Sequence, residues 1–462
     1  MNRVAILGLG SSGVAAARLA LAHGVSVHVS DLRTDANAAT QAQLLREAGA
    51  EVDLGRHDIS RIADTDVVVV SPGIPPTAPV LVGLKERGIG WISEPEFASR
   101  FRTGPVIAIT GTNGKSTVTV LVAALLRAAG FDAVAGGNVG SGLAPAASEL
   151  ALDAVDADWW VLEMSSFQLA DIDQFAPDIG VVTSLAPDHL DRYASVEAYW
   201  ADKARMFDNA SKTSRWVLAD QPEVLELPGD AQGERFMFST GREGSSPLHA
   251  FERDGHLTLK LTPDGAEEVL IARDELPLLG QHNMANALAA ALTARLAGAS
   301  IEAICTGLRT AEALPHRMAP VADEGGVLWV DDSKATNVGA TLGAVSSLTR
   351  PLIVLLGGQD KGESMAPLAE ALTGRAQTVV CFGAAGARIA NELERAWSAF
   401  EAAAAPTLVR AEKLADAVAV ARRHACPGDL VLLSPACSSF DEFDNYVHRG
   451  HVFAELAQGV AA

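Results

Sequence analysis

Short apolar runs alternate along the chain with longer stretches that are rich in Ala and Leu and have helical spacing. Runs that begin at Val4 and Val106 each lead into a glycine-rich turn and then into such a stretch. Four further apolar runs alternate with helical stretches towards the C-terminus, at 327–330, 352–356, 379–382 and 430–433. Alternation of buried strands with helices predicts α/β architecture built on mostly parallel sheets.

The most informative turn lies between the apolar run 106–109 and the helical stretch 118–129. Its glycines let backbone N–H groups turn towards phosphate oxygens, and the following helix adds positive charge at its N-terminus. The general phosphate-loop pattern would place a glycine where Ile109 stands, so this loop is tighter than usual. We expect it to bind a nucleoside triphosphate and Mg²⁺ through Gly111, Thr112, Asn113, Gly114, Lys115, Ser116 and Thr117.

The first glycine-rich turn, Gly8-Leu-Gly-Ser-Ser-Gly13, follows a strand and opens a helix, and Asp31 ends the next strand. This order is the fingerprint of dinucleotide binding, for which NAD is the obvious ligand. The alternative is a similar unit that uses the same turn for a different phosphate. A further strand, 67–70, ends at the turn Ser71-Pro-Gly-Ile74, where ligands of open parallel sheets lie.

The chain has 462 residues, enough for about three domains. We expect an α/β fold in which residues 1–93 are Rossmann-like, residues 94–313 form a parallel sheet of the P-loop ATPase type, and residues 314–462 are again Rossmann-like. Strands and turns dominate between Trp216 and Ile271, which predicts an antiparallel patch beside the central sheet.

Composition narrows the possible functions. Hydrophobic residues make up 48% of the chain and charged residues 20%, which is enough for a sizeable core. The net charge of −21 argues against non-specific binding to nucleic acids or anionic membranes. Four widely spaced cysteines without a C-x-x-C pair favour a reducing cytoplasm. We find no signal peptide and no apolar run long enough to span a membrane, so membrane insertion is not expected.

Three residues of the central region have the chemistry for a phosphate site. Glu163 ends a strand, as a Walker-B-type Mg²⁺ ligand does, although an ordinary exposed carboxylate is the alternative. His189 follows a strand beside Asp188, but Mg²⁺ prefers oxygen ligands, so the histidine needs independent support. From its helical pattern alone, Lys203 is a solvated surface lysine.

Polar residues towards the C-terminus indicate further binding groups. Asn283 and Asn286 share one helix face and could contact an adenine edge, or be a cap and a buried polar contact. Arg317 lies in a short linker and could reach a γ-phosphate from another domain. Polar loops follow three strands of the C-terminal region and predict a second substrate pocket, in which Lys361 suits a carboxylate.

Taken together and in order, these motifs resemble the Mur ligase family over the full length of the chain. Each motif is weak alone, and the ordered set is specific. The residues that carry the resemblance are Ser71–Ile74, Gly111–Thr117, Gly137-Asn138, Glu163–Leu169, Asp188–Arg192, His282–Asn286, Pro315–Arg317, Asp332–Asn337, Asp360–Gly362 and Ser434–Cys437.

The resemblance implies a role for residues that the pattern alone leaves open. A UDP-linked substrate, rather than NAD, would contact Ser11, Ser12, Asp31, Leu32, Arg33, Ser71, Gly73, Asn138 and His189. ATP would contact the phosphate loop together with Asn283, Asn286, Arg317 and Asp332, and glutamate would contact Thr336, Lys361, Ser439 and Tyr446. Two Mg²⁺ ions would be held by Ser116, Glu163, His189 and a carbamylated Lys203, and the catalytic groups would be Lys115, His189, Lys203 and Arg317.

The implied activity is an ATP-dependent amide-bond ligase of peptidoglycan synthesis that adds D-glutamate to the L-alanyl carboxylate of UDP-N-acetylmuramoyl-L-alanine through an acyl phosphate. The alternatives are a related ligase with another acceptor, such as an L-glutamate-adding or folylpolyglutamate synthase-like enzyme. A dehydrogenase would rest on the first glycine-rich turn alone, and a third alternative is a non-catalytic nucleotide switch. We expect a cytoplasmic monomer.

Overall fold

The computed structural model describes residues 1–139, 143–190, 192–241, 249–262, 264–398 and 405–459, and within these ranges the strands form three sheets that are mostly parallel. The chain divides into two compact units. One unit holds Met1–Glu275 with Ala285–Arg309, and the other holds Leu276–Met284 with Thr310–Ala462. The predicted α/β class is confirmed, and the predicted boundaries after residues 93 and 313 stay predictions.

The first sheet has the strand order β3-β2-β1-β4-β5, with every pair parallel. Residues 4–7 of the first strand are fully buried, as expected of a strand that helices cover on both faces. The strands are β1 (Arg3–Leu7), β2 (Ser26–Asp31), β3 (Glu51–Leu54), β4 (Val67–Val70) and β5 (Ile92–Ser93). The helices are α1 (Ser11–Ala22), α2 (Ala36–Glu47), α3 (Ile59–Ala63), α4 (Pro79–Glu86) and α5 (Glu94–Ser99).

The second sheet has the order β14-β13-β12-β11-β10-β9-β6-β8-β7. Its strands are β6 (Val106–Thr110), β7 (Ala133–Gly137), β8 (Trp159–Glu163), β9 (Ile179–Val182), β10 (Arg215–Ala219), β11 (Glu234–Phe238), β12 (Ala250–Arg253), β13 (His256–Leu259) and β14 (Glu268–Ala272). Its helices are α6 (Lys115–Ala128), α7 (Ala147–Asp153), α8 (Ser166–Leu169), α9 (Val196–Ala204), α10 (Pro222–Glu226), α11 (Gln281–Leu296) and α12 (Ile301–Arg309), with 3₁₀ turns at Arg205–Phe207 and Arg273–Glu275.

The predicted antiparallel patch is present but smaller than expected. Strands β12, β13 and β14 pair antiparallel at one edge of the second sheet. Strands β10 and β11 fall in the same part of the chain, yet they pair parallel with each other, and β10 pairs parallel with β9. Strand β12 in turn pairs parallel with β11, so the parallel part of the central sheet extends three strands further than the sequence pattern indicated.

The third sheet lies in the other unit and has the order β15-β16-β20-β17-β18-β19. Its strands are β15 (Ala319–Glu324), β16 (Val327–Asp331), β17 (Leu352–Gly357), β18 (Ala376–Phe382), β19 (Thr407–Arg410) and β20 (Leu430–Ala436). Its helices are α13 (Val338–Ser347), α14 (Ala366–Leu372), α15 (Gly386–Trp397), α16 (Leu414–His424) and α17 (Tyr446–Ala457). The four predicted strands are present, and β15 and β19 are additional strands at the two edges.

Among the residues that the structure describes, no helix has both the length and the apolar character needed to cross a membrane.

Candidate active site

The phosphate loop connects β6 to the N-terminus of α6, as the sequence predicts. Gly111 and Gly114 have φ angles of 141° and 86°, a region that favours glycine. A Cβ atom on Gly111 would lie 2.1 Å from Thr183 Oγ1, so the loop also needs the missing side chain for space. The backbone N–H of Thr112 donates to the carbonyl of Ser184 at 2.8 Å. The loop is therefore held tightly against the end of β9, with the positive end of α6 beside it.

Two lysines meet at one carbonyl of this loop. Lys115 Nζ donates to the oxygens of Gly111 and Thr112 at 3.0 and 2.9 Å, and Lys203 Nζ donates to the same Gly111 oxygen at 2.8 Å. Lys203 is only 1% exposed, and its Nζ lies 4.6 Å from the ring centroid of Tyr199. Burial, reinforced by the charge of Lys115, lowers the pKa of Lys203 well below its usual value. The interpretation of Lys203 as a solvated surface lysine is wrong.

Glu163 ends β8 and is 3% exposed, so the alternative of an ordinary exposed carboxylate is wrong. Its Oε1 accepts a hydrogen bond from Asn138 Nδ2 at 3.2 Å, and the Asn138 backbone N–H donates to the Glu163 carbonyl at 2.9 Å. Its Oε2 is buried and has no hydrogen-bond partner among the described residues. A buried carboxylate oxygen without a donor fits a hard cation, which is the chemistry that Mg²⁺ needs.

His189 lies in a tight turn after β9, with a φ angle of 54°. The turn is closed by the N–H groups of Arg192 and Tyr193, which donate to the His189 carbonyl at 2.9 and 3.0 Å. The imidazole meets the ring of Phe167 edge-on, with centroids 5.0 Å apart, and its Nε2 lies 3.8 Å from Asp188 Oδ2. The position of the imidazole is therefore set by an aromatic ring and a carboxylate. Asp191 of the same motif lies outside the described residues.

No group of three or more His, Cys, Asp or Glu side chains that could hold a metal ion occurs in the described ranges. The predicted metal ligands also include groups of other types, namely the hydroxyl of Ser116 and a carbamylated Lys203. Ser116 is 3% exposed in the first turn of α6. The oxygen donors that fit Mg²⁺ are therefore Glu163, the Ser116 hydroxyl and the oxygens that Lys203 would gain by carbamylation.

A cavity of about 630 Å³ lies at the carboxyl ends of the strands of the first sheet. Ser71 contributes a buried Oγ that has no hydrogen-bond partner among the described residues. Asn138 and His189, which were also predicted to contact the UDP-linked substrate, are not among the lining residues. The other predicted contacts all line this cavity, namely Ser11, Ser12, Asp31, Leu32, Arg33, Ser71 and Gly73.

The carboxylate of Asp31 is fully engaged in this cavity wall. Its Oδ2 accepts from the Leu9 N–H at 2.6 Å and pairs with Arg33 Nη2 at 2.9 Å. Burial alone would raise the pKa of Asp31, but the hydrogen bonds from Arg33 and Leu9 outweigh it and lower the pKa. His57 also lines the cavity, with Nδ1 2.8 Å from Ser30 Oγ. It could not be predicted, because an isolated histidine in a loop belongs to no sequence pattern.

In the other unit, the predicted polar loops follow β16, β20 and β17, which are neighbours in the sheet and parallel. Their carboxyl ends therefore bring Thr336, Ser439 and Lys361 to one edge. Ser439 is buried, whereas Lys361 is exposed. Tyr446 begins α17, and Lys334 Nζ lies 4.1 Å from the centroid of its ring. The predicted polar loops therefore lie at one edge of the sheet, and the second substrate pocket stays a prediction.

Asp332 and Arg449 are buried at this edge and hydrogen bond to its loops. Burial, partly offset by the hydrogen bond from Ser434 Oγ, raises the pKa of Asp332 to about 7. Arg449 is fully buried and donates to Ser333 Oγ at 2.9 Å and to the Cys437 carbonyl at 3.1 Å. It thereby ties the loop after β16 to the loop after β20. Nothing in the sequence pattern distinguishes Arg449 from a surface arginine, so its role could not be predicted.

The predicted adenosine contacts lie in different units. Asn286 is in the same unit as the phosphate loop, and its Oδ1 would be 2.4 Å from a Cβ atom on Gly114. Asn283 belongs to the other unit, where its Nδ2 donates to the Leu279 carbonyl at 2.8 Å. That hydrogen bond agrees with the interpretation of Asn283 as a buried polar contact. Arg317 is also in that unit, and its positive charge acts to lower the pKa of Asp332.

Three family models match the chain in order. A Mur ligase MurD-like N-terminal domain matches residues 2–93, a Mur ligase middle domain matches 109–294, and a Mur ligase glutamate ligase domain matches 316–437. The UDP-N-acetylmuramoylalanine–D-glutamate ligases of Acidobacterium capsulatum and Koribacter versatilis are 39% and 38% identical to the chain, covering 100% of it and 98% of each relative. The chain belongs to the Mur ligase family.

Solved Mur ligase structures share the fold. MurF from Acinetobacter baumannii aligns with a TM-score of 0.61 at 16% identity, covering 99% of this chain and 93% of that one. Within the family models, the middle domain includes the phosphate loop, Glu163, His189 and Lys203. The glutamate ligase domain ends at residue 437, before Ser439 and Tyr446. The roles of all these residues stay predictions.

Proposed function

We propose that this Mur ligase adds D-glutamate to the L-alanyl carboxylate of UDP-N-acetylmuramoyl-L-alanine, at the expense of ATP, as a step of peptidoglycan synthesis in the cytoplasm. The observation that carries the proposal is the phosphate loop in the neighbourhood of a buried lysine and of a buried carboxylate oxygen to which no described residue donates, in a chain whose full-length relatives are named for this reaction. We expect the enzyme to act as a monomer, which sedimentation velocity would test.

The chemical problem is that a carboxylate is a poor electrophile. In the proposed reaction, a carboxylate oxygen attacks the γ-phosphorus of ATP and the bond to ADP breaks, which gives an acyl phosphate. The amine of glutamate then attacks the carbonyl carbon, and phosphate leaves from the tetrahedral intermediate while the nitrogen loses a proton. Lys115 would offset negative charge on the phosphates, and the loop N–H groups would orient them.

The residues present fit a magnesium site in the chemistry of their donors. Glu163 Oε2 and the Ser116 hydroxyl would hold one ion, and His189 with a carbamylated Lys203 would hold a second. Bound Mg²⁺ neutralises phosphate charge and favours the in-line geometry of transfer. The lowered pKa of Lys203 supports the modification, since only the neutral amine attacks CO₂. The product is an N-carboxylate and a released proton, so a buried amine becomes an anionic oxygen ligand.

Two further regions would select the substrates. The cavity in the first sheet would hold the uridine diphosphate group, with the N-terminus of α1 beside the diphosphate and Asp31 and Arg33 beside the uracil. Asn138, which is hydrogen bonded to Glu163, would contact the muramoyl group. Lys361, with Thr336, Ser439 and Tyr446, would bind glutamate, and Asp332 with Arg317 would contribute to ATP binding. These assignments rest on the family resemblance and on the loops that the sheets bring together.

A phosphate-release assay tests the proposal directly. The purified enzyme is given Mg-ATP, UDP-N-acetylmuramoyl-L-alanine, and either D- or L-glutamate. We expect phosphate release that requires all three substrates and prefers the D enantiomer. Preference for L-glutamate would favour a related ligase with another acceptor. Absence of release with either enantiomer would favour a non-catalytic nucleotide-binding protein.

A further inference from the structure

Arg192 joins two parts of the larger unit that the proposed mechanism treats separately. Its Nη1 donates to the Pro72 carbonyl at 2.7 Å, and its Nη2 donates to the Ile74 carbonyl at 3.2 Å. The guanidinium carbon lies 3.8 Å from the centroid of the Phe167 ring. The planar fork of an arginine can donate to two carbonyls while it stacks on an aromatic ring, which a lysine cannot do.

The two carbonyls belong to the turn that follows β4 and forms one wall of the cavity. Residues 71–75 of this turn line the cavity together with the start of α1. The turn is closed by the Ile74 N–H, which donates to the Ser71 carbonyl at 3.0 Å. A Cβ atom on Gly8 would lie 2.6 Å from Ser71 Oγ, so this wall packs closely against the first glycine-rich turn. A displacement of the turn would therefore change the width of the cavity.

At its other end, Arg192 is fixed to the predicted phosphate-transfer site. Its own N–H donates to the His189 carbonyl within one tight turn. Phe167, on which the guanidinium stacks, also contacts the imidazole of His189. Phe167 lies on α8, which directly follows the strand that ends at Glu163. The positions of the guanidinium, the imidazole and the carboxylate are thus set by the same short segments.

We propose that Arg192 is a positioning residue that holds the cavity wall, residues 71–75, in a fixed position relative to the site around His189 and Glu163. The distance from the diphosphate of a bound substrate to its reacting carboxylate is set by the substrate, so the cavity wall must keep a fixed position relative to the phosphate loop. Arg192 supplies that constraint through two charge-assisted hydrogen bonds. This inference rests on the proposed function for the identity of the substrate, but the contact itself does not.

The experiment compares Arg192→Met, which keeps an apolar stem on Phe167 but loses every side-chain donor, with Arg192→Lys, which keeps one side-chain donor group. We expect Arg192→Met to raise KM for UDP-N-acetylmuramoyl-L-alanine by about tenfold or more, as befits the loss of hydrogen bonds from a charged group. The lysine variant should show a smaller rise, of about threefold. KM for ATP and the dissociation constant of Mg-ADP should stay within about twofold of wild type, since the contacts described above join Arg192 to the cavity wall, to Phe167 and to the His189 carbonyl.

Arg205→Met is the matched control. Arg205 also donates to two main-chain carbonyls of the central region, those of Ala170 and Ile172, but neither carbonyl borders the cavity. Its loss should leave KM for the UDP-linked substrate unchanged. Amide hydrogen exchange gives a second measurement that needs no activity. Residues 71–78 should exchange faster in Arg192→Met than in wild type, while residues 111–114 should not change.

The outcomes separate the two proposals. Unchanged KM for the UDP-linked substrate together with unchanged exchange at 71–78 would overturn the role of Arg192. Equal weakening of UDP-substrate and Mg-ADP binding, reproduced by Arg205→Met, would also overturn it, because a general loss of stability would then explain the data. If the wild-type enzyme neither binds the UDP-linked substrate nor releases phosphate, the proposed function fails, and the exchange measurement still decides whether Arg192 positions the turn.

Discussion

For two glutamates of α5, we expect substitution by glutamine to have different effects on the free energy of unfolding. Glu94 and Glu96 are both almost completely buried. Glu94 Oε1 accepts from the Ser148 N–H at 2.5 Å, and its Oε2 has no hydrogen-bond partner among the described residues. Burial, offset only in part by hydrogen bonding from Ser148, raises the pKa of Glu94 to about 7. In the folded protein this carboxyl group therefore prefers to be neutral.

The sign and size of the pH effect follow from that pKa. Below the unfolded pKa of 4.5, Glu94 is protonated in both states, and between 4.5 and about 7 only the folded protein keeps the proton. The unfolded state binds fewer protons in this window, so the free energy of unfolding falls as the pH rises. A shift of about 2.5 pKa units corresponds to about 3 kcal/mol, lost in full above pH 7. Glu94→Gln removes the ionisation and should escape this loss.

Urea unfolding of wild type and Glu94→Gln at pH 5 and pH 8 measures the effect. Any change in the free energy of unfolding that the amide causes independently of pH is the same at both pH values, so it cancels in the comparison. Because pH 5 already lies above the unfolded pKa of 4.5, the variant should gain, relative to wild type, about 2.5 kcal/mol in free energy of unfolding on going from pH 5 to pH 8. If the difference in free energy of unfolding between variant and wild type is the same at both pH values, burial does not raise the pKa of Glu94 as we infer.

Glu96→Gln is the matched control, two residues away. The Oε2 atom of Glu96 accepts from three consecutive backbone N–H groups, those of residues 173–175, at 2.7 to 3.1 Å, and Oε1 pairs with Arg100 at 3.2 Å. An amide replaces these charge-assisted hydrogen bonds with weaker ones and leaves Arg100 only its longer, more exposed ion pair with Asp173, at 3.4 Å. We expect a destabilisation of about 2 kcal/mol or more at both pH values. If Glu96→Gln is more stable than wild type at pH 8, the hydrogen bonds to Glu96 do not account for the difference between the two glutamates.

Three further predictions concern the proposed site. Lys203→Ala should abolish phosphate release, and added acetate should restore part of it. If acetate does not restore activity and the mass of the wild-type protein shows no added CO₂, the carbamate is excluded. Gly111→Ala would place a Cβ 2.1 Å from Thr183 Oγ1 at a φ angle of 141°, so Mg-ADP binding should weaken by about tenfold or more, while Gly90→Ala, with no atom within 4 Å, should bind normally. Because the pKa of Asp332 is about 7, KM for ATP should rise as the pH falls from 8 to 6, and a flat profile would show that its ionised form is not needed.

The two glycine-rich turns were predictable because their signals are local. In each, an apolar run, closely spaced glycines and an Ala-rich stretch follow one another within about 25 residues. The structure differs only in the bounds: β6 extends to Thr110, and α6 begins at Lys115 rather than at Val118. The glycines are a reliable signal because only glycine adopts the φ angles of Gly111 and Gly114 without strain.

Strand pairing was harder to predict because direction is a non-local property. Strands β10 and β11 have the short apolar pattern of the antiparallel strands that follow them, yet they pair parallel. Whether two such strands run parallel depends on the connection between them and on neighbours elsewhere in the sheet. The edge strands β15 and β19 were missed for another reason. Most of their residues are at least partly exposed, so their sequences lack the continuous apolar run of a central strand.

Lys203 shows why the most informative site residue could not be found from the pattern. Hydrophobic spacing locates the buried face of a helix by its apolar residues. In α9 the buried residues are Tyr199 and Lys203, four positions apart, while most of the helix's other residues are at least partly exposed. The buried face of this helix is thus a phenol ring and an amine directed at the phosphate loop. A periodicity argument places such a lysine in solvent, although its burial is what makes the neutral amine available for chemistry.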